Sequence, residues 1–202
     1  MSIYGEYEAT LQKVMEDIEE RLQNYQKLVQ FETGDNAYEH LLGRIKTDES
    51  MREKCRRKGL PENEKSALVD MTDAIGIRVV CSFVDDVFNI VEHIKTFNNC
   101  EIVEEKDYIR HAKQNGYRSY HMILAVHTTE KDVLGRVPGI YYVELQIRTI
   151  AMDTWAALEH KMKYKKDIPN QELLVAELKR VADELASCDL SMQTIRELIN
   201  SK

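Results

Sequence analysis

The sequence predicts an α+β fold: about five strands, with long helices at the two ends and shorter ones between. Three observations carry this. Apolar residues recur at spacings of three and four near both termini, which is the period of a helix with one buried face. Several central runs alternate with period two or are continuously apolar, as strands do. The connections between those runs are too varied for a regular doubly wound order.

Residues 4–29 read as an amphipathic helix, with Leu11, Val14, Ile18, Leu22, Tyr25 and Leu28 on one face. Gly34-Asp35-Asn36 breaks it. Residues 40–46 read as a short strand with Arg44 and Lys46 on one face and Ile45 on the other. Thr47 or Asp48 caps a helix over residues 49–58, and Gly59 with Pro61 ends it. Residues 74–81 form a buried strand, and Asp85-Asp86 opens a helix with Val87, Ile90, Val91, Ile94 and Phe97 inward. Strands follow at residues 101–108 and 120–128, and a loop over 135–139 leads to the run Tyr141-Tyr142-Val143-Glu144-Leu145-Gln146-Ile147-Arg148. Here Val143, Leu145 and Ile147 share one face, and Glu144, Gln146 and Arg148 the other. Thr149 starts a helix with Ala151, Trp155, Leu158 and Met162 on one face, and Asp153, Glu159, His160 and Lys163 mostly away from it. After Pro169, a last helix carries Leu174, Leu178, Val181, Leu185, Cys188, Met192, Ile195 and Ile199 as a heptad seam. That seam packs either on the chain itself or on a second copy.

The chain has 202 residues, 43% hydrophobic and 31% charged, which suits one soluble globular domain. No apolar run is long enough to span a membrane, and the first residues have no signal-peptide character. Cys55, Cys81, Cys100 and Cys188 show no metal-ligand spacing and read as reduced, partly buried thiols of a cytoplasmic protein. The net charge of -7 argues against a general nucleic-acid coat. Within this acidic chain, residues 52–58 hold five basic groups against one Glu, a local excess that suits a compact polyanion such as a nucleotide's phosphate chain. RNA is an alternative partner for the same run.

The polar face of the Glu144 strand sets an acid, an amide and a guanidinium in a row beside a core. It is either a solvated strand face or a binding face. Asp73 precedes one strand and Glu144 lies in another, so the two acids suit a hard divalent cation, most simply Mg²⁺, with phosphate and water oxygens completing its shell. Strict alternation puts Asp73 opposite Arg78, so both meet one ligand only if the strand starts irregularly. Arg44, Lys46, Lys54 and Arg57 are candidate phosphate-binding cations. Asn115-Gly116 marks a turn. After it, Tyr117 offers a flat face for a purine, with Lys113 and His121 near phosphates.

Taken in order, Arg44-x-Lys46, the Lys54/Arg57 helix, Asp73-x-x-Gly76-x-Arg78, Asn115-Gly116-Tyr117-Arg118-Ser119-x-His121, Glu144-x-Gln146-x-Arg148-Thr149 and Trp155-Ala156-x-x-Glu159-His160-Lys161 closely resemble the synthetase domain of the RelA/SpoT family. At this length the chain resembles a stand-alone small alarmone synthetase, one domain over 1–202 with a catalytic core at about 38–166 between helices at 1–33 and 170–200. The resemblance implies a nucleotidyltransferase-like mixed sheet flanked by helices. It also implies transfer of the β,γ-pyrophosphate of ATP to the 3′-hydroxyl of GTP or GDP, with release of AMP. Arg44, Lys46, Lys54, Arg57 and Arg78 would hold ATP. Asp73 and Glu144 would be catalytic and bind Mg²⁺, with Glu144 taking the hydroxyl proton. Lys113, Asn115, Tyr117, His121 and Gln146 would hold the guanine nucleotide. Gln114 stands where the family often has Pro, and no His-Asp pair occurs, so the family's hydrolase half is not expected. A homotetramer joined partly through the C-terminal seam is expected by the same resemblance. The rival readings are a toxic relative acting on adenosine nucleotides or tRNA, and an RNA-binding regulator.

Overall fold

The structure, a computed structural model, describes residues 2–163 and 170–201. Pro169 and the side chain of Lys163 lie outside the described residues. The elements are α1 (Glu8–Thr33), β1 (His40–Ile45), α2 (Asp48–Lys58), β2 (Ile75–Cys81), α3 (Val84–Ile94), β3 (Cys100–Asp107), β4 (Tyr120–Thr128), β5 (Gly139–Thr149), α4 (Ile150–Lys163) and α5 (Gln171–Asn200). The five strands form one mixed sheet in the order β1-β2-β5-β4-β3. Only the β2–β5 pairing is parallel. This is the expected α+β fold with long terminal helices.

Local chemistry explains the boundaries. The Thr47 side chain accepts from the Ser50 N–H and caps α2, and Gly59, at φ 68°, closes it in the left-handed region. Gly34, at φ 80°, does the same for α1. A single wide helical turn, Ser66–Asp70, precedes β2 with Ser66, Ala67 and Leu68 buried; the sequence reading assigned nothing there. Alternation then sorts the sheet. Ile75, Ile77 and Val79 of β2 and Val143, Leu145 and Ile147 of β5 join Met122, Leu124 and Val126 of β4 in the core. Leu11, Val14, Ile18 and Leu22 of α1 and Val87, Ile90, Val91 and Ile94 of α3 close that core. The other face of the sheet carries Leu42, Arg44, Gly76, Arg78, Glu144 and Gln146 around a cleft of about 290 Å³.

Some expectations shift. Leu28, read as inward on α1, is 49% exposed, the neighbouring Tyr25 and Val29 packing on the core instead, and Leu158 of α4 is 43% exposed. Cys188 is exposed, although Cys55 and Cys81 are buried. The C-terminal seam divides in two. Leu174, Leu178, Val181 and Leu185 pack with Trp155 of α4 inside the chain. Trp155 also donates its indole N–H to the Leu178 carbonyl at 2.7 Å. Beyond that contact Ile195 and Ile199 are 57% and 67% exposed. The first half of the seam is therefore internal packing, and Leu185→Asp would disrupt the α4–α5 contact.

Candidate active site

The site grows from two registers across the sheet. Arg44 of β1 pairs with Gly76 of β2, Gly76 with Glu144 of β5, and Glu144 with Ile123 of β4. One step along, Leu42 pairs with Arg78, Arg78 with Gln146, and Gln146 with His121. The parallel β2–β5 pairing thus brings the cations of the first half of the chain beside the acid of the second. Gly76 matters here by what it lacks. A Cβ built on it would meet nothing within 4 Å, so the missing side chain leaves open floor between Arg44 and Glu144. A glycine within an apolar strand often marks such an approach of a ligand or backbone, and that was the available signal.

Asp73 reaches the cation side because β2 begins only at Ile75, after bends at Thr72 and Ala74. The irregular start that alternation demanded is present. The Asp73 Oδ2 accepts from both the Lys46 and Lys54 ammonium groups, the latter at 2.5 Å. Burial pushes the Asp73 carboxyl up, but these two ammonium groups outweigh it and hold it below the ordinary range. Burial leads in lowering Lys46; Asp73 opposes this, Lys54 adds to it, and Lys46 also feels Glu144. Arg44 is exposed on β1, and Arg57 is exposed in the last turn of α2.

Could the acids hold a cation? Among the described residues no three His, Cys, Asp or Glu gather into a metal cluster. Mg²⁺ does not need one, since one or two carboxylates with substrate phosphates and water suffice. The Asp73 Oδ1 is buried without a hydrogen-bond partner, an acceptor left over for such a group. The donor set therefore fits Mg²⁺.

The opposite side of Glu144 is aromatic. Tyr117 meets Tyr108, His121 and Trp155 edge to face, with centroids 6.1, 5.7 and 6.2 Å away. The Tyr117 hydroxyl and His121 Nε2 share a hydrogen bond at 2.7 Å, and His121 Nδ1 lies 3.8 Å from Glu144 Oε1. Burial, then Arg148, Lys113 and Lys106, push His121 down to about 4, so it is neutral at pH 7 and its contact with Glu144 is no ion pair. The Lys113 ammonium lies 4.4 Å from the Tyr108 ring centre and 4.8 Å from that of Tyr117. Asn115 is engaged structurally. Its amide donates to Glu159 at 2.8 Å and its carbonyl oxygen accepts the Tyr117 N–H at 3.2 Å.

This loop is braced from behind by α5. Gly116 sits at φ +91°, and a Cβ there would fall 2.5 Å from that of Ala182. Arg118 reaches the Ala182 carbonyl and the Asp183 carboxylate, each at 3.4 Å. Two further groups were missed as site residues. Arg148, read only as part of the polar strand face, is 2% exposed. Asp153, read as pointing away from the core, forms ion pairs with Arg78 and Arg148.

The model of the region found in RelA and SpoT proteins matches residues 43–169. The chain belongs to the RelA/SpoT family. The family's stretch runs from the cation strand β1 through β5 and α4, and so takes in both sides of the cleft. The chain is 40% identical over 169 residues to the GTP pyrophosphokinase YwaC of Bacillus subtilis, covering 83% of this chain and 78% of that protein. The crystal structure of B. subtilis small alarmone synthetase 1 bound to its product pppGpp superposes with a TM-score of 0.80 at 32% identity, covering 94% of each chain. The same enzyme bound to AMPCPP superposes with a TM-score of 0.73 at 29% identity, covering 95% of this chain and 94% of that one. Likeness to these family members over nearly the whole chain extends to both terminal helices.

Proposed function

We propose that the chain is a GTP pyrophosphokinase of the small alarmone synthetase kind, making pppGpp or ppGpp from ATP and GTP or GDP. The observation that carries this is the flanking of one strand acid, Glu144, by a cation set on one side and an aromatic platform on the other, in a chain of this family. The relatives bound to pppGpp and to AMPCPP support a guanine-nucleotide product and an adenine-nucleotide donor.

In this reading Arg44, Lys46, Lys54, Arg57 and Arg78 neutralise and orient the ATP phosphates. Guanine stacks on Tyr117, taking the place of the Lys113 ammonium, which then turns to the acceptor's phosphates. Gln146 and Asn115 line the acceptor side, and neutral His121 holds the Tyr117 hydroxyl. The acceptor's 3′-oxygen attacks the β-phosphorus of ATP while the bond from that phosphorus to the α,β-bridging oxygen breaks. AMP leaves, and Glu144 takes the hydroxyl proton. Mg²⁺, when bound by Asp73 and Glu144, supplies charge neutralisation for the transferring phosphates. Such transfers depend mostly on positioning and charge, which these side chains provide.

The direct test incubates the protein with ATP, Mg²⁺ and either GTP or GDP and identifies the products by mass. AMP together with a guanine nucleotide two phosphates heavier supports the reading. ADP as the by-product, or no guanine product, overturns it. The reading includes a cytoplasmic enzyme that assembles as a homotetramer, its exposed Leu190, Ile195, Leu198 and Ile199 covered by further copies. Light scattering at micromolar concentration tests this: a mass near 23.6 kDa would exclude it.

A further inference from the structure

Arg148 is a charge buried beneath the cleft floor, 2% exposed, with its guanidinium donating to Gln146 Oε1. Its Nη1 lies 3.4 Å from Asp153 Oδ1, and Arg78 Nη1 lies 3.4 Å from that same oxygen. One carboxylate from the first turn of α4 therefore serves two guanidinium groups. One of them belongs to the donor side of the cleft and the other holds an amide on the acceptor side. The Nε of each arginine and Asp153 Oδ1 itself are buried without a hydrogen-bond partner, so the bridge consists of two ion-pair contacts and neither arginine is held at its Nε.

Resting on the function proposed above, we propose that Asp153 is a positioning residue for the transfer. By bridging Arg78 and Arg148 it fixes the donor-side guanidinium relative to Gln146 and so sets the two nucleotides against each other. The physical reason is like-charge repulsion. Arg148 is walled in and cannot leave, whereas the Arg78 side chain is 39% exposed and can. Without the intervening carboxylate the buried charge loses its ion-pair partner, with Glu144 the carboxylate left to act on it, and it drives Arg78 toward solvent. With Asp153 in place, two cations share one anion. The pair keeps net positive charge on the side where donor phosphates arrive.

The test titrates the nucleotide analogue AMPCPP, with Mg²⁺ present, into the full chain and into Asp153→Asn, Arg78→Ala and the double variant, beside separate KM values for ATP and GTP. Asp153→Asn should weaken AMPCPP about 10-fold or more and raise the ATP KM more than the GTP KM. The same change should add little in the Arg78→Ala background, because Asp153 acts through Arg78. Equal affinity in wild type and Asp153→Asn, or losses that simply add in the double variant, would overturn the proposal. Should Asp153→Asn fail to fold, Arg148→Met/Asp153→Asn removes the buried charge together with its counter-ion. With no buried charge left to repel Arg78, that variant should bind AMPCPP within a few-fold of wild type, and weak binding in it counts against the idea. A wild-type protein that makes no AMP or alarmone instead sinks the proposed function. An active wild type with unchanged Asp153→Asn sinks only this inference.

Discussion

The two sides of the cleft are built on different physical plans. The side proposed for the donor is made of long cationic side chains on and just beyond an edge strand and on a short helix. Arg44 and Arg57 are exposed, and Lys46 and Lys54 are parked on Asp73. The side proposed for the acceptor is a set of interlocked rings, Tyr108, Tyr117, His121 and Trp155, backed by α5. A phosphate chain is flexible and highly charged, so cations that can follow it serve better than a rigid mould. A base is flat and rigid, and a surface already packed in place loses little entropy when the base stacks on it. In the proposed function this difference puts base selectivity on the ring side and charge handling on the cation side. Glu144 belongs to both.

Changes that act on both sides should therefore cost most. Glu144→Gln keeps the strand but removes the proton acceptor, and turnover should fall roughly 10²–10⁴-fold with little change in Tm. Near-normal turnover by product mass would remove Glu144 from the chemistry. Next comes the pair that separates the sides. Tyr117→Ala should weaken GTP by about 1–3 kcal/mol, by analogy with bases stacked on aromatic side chains, while ATP affinity serves as its internal control. Arg44→Ala should do the reverse, and equal losses for both nucleotides in both variants would erase the distinction. Smaller is the effect of disturbing the brace. Gly116→Ala forces a side chain into a left-handed residue and against Ala182, at a backbone cost of roughly 1–2 kcal/mol. The GTP KM should rise several-fold and the ATP KM should hold, as steady-state kinetics would report.

The smallest effect sits behind the loop. Asp189 is 3% exposed, its Oδ2 accepts from Thr149 Oγ1 at 2.7 Å, and its Oδ1 has no partner. Burial raises its pKa, against smaller opposing effects from Thr149 and Arg118. Between the unfolded carboxylate's pKa, about 3.9, and the higher folded value, the unfolded chain has shed a proton that the folded chain still holds. Stability contributed by this group is therefore present in acid and lost as pH rises through the folded value. Asp189→Asn should raise Tm at pH 7 by a few degrees, since about 1 kcal/mol moves Tm roughly 2–4 °C at this length. The gain should vanish near pH 4, and melts at the two pH values check it.

Much of this was legible in the sequence, for identifiable reasons. Alternation in β5 sorted Val143, Leu145 and Ile147 from Glu144, Gln146 and Arg148, because a strand's period is insensitive to its neighbours. Thr47 and Gly59 marked α2 because capping is local chemistry. What escaped depends on what lies across space. Helical period told that Asp153 avoids the apolar face of α4, but not that two arginines wait there. A heptad pattern in α5 told that something covers Leu178 and Leu185, but not that it is Trp155. Arg148 read as one more polar residue on a strand face, since only the return of α4 over β5 buries it.

The parallel pairing of β2 with β5 has one more consequence. Gly76 and Glu144 are neighbours in space, yet the whole of β3 and β4 is threaded between them in the chain. Emerging from the ribosome, the polypeptide carries the cations proposed to bind the donor phosphates long before it has Glu144, the acid proposed to work beside them. The local β4–β5 hairpin brings His121 beside Glu144 by itself, and only its docking on β2 unites the halves, a long-range closure of the slow kind. In the proposed function, a chain that ends before β5 lacks Glu144 and cannot carry out the transfer.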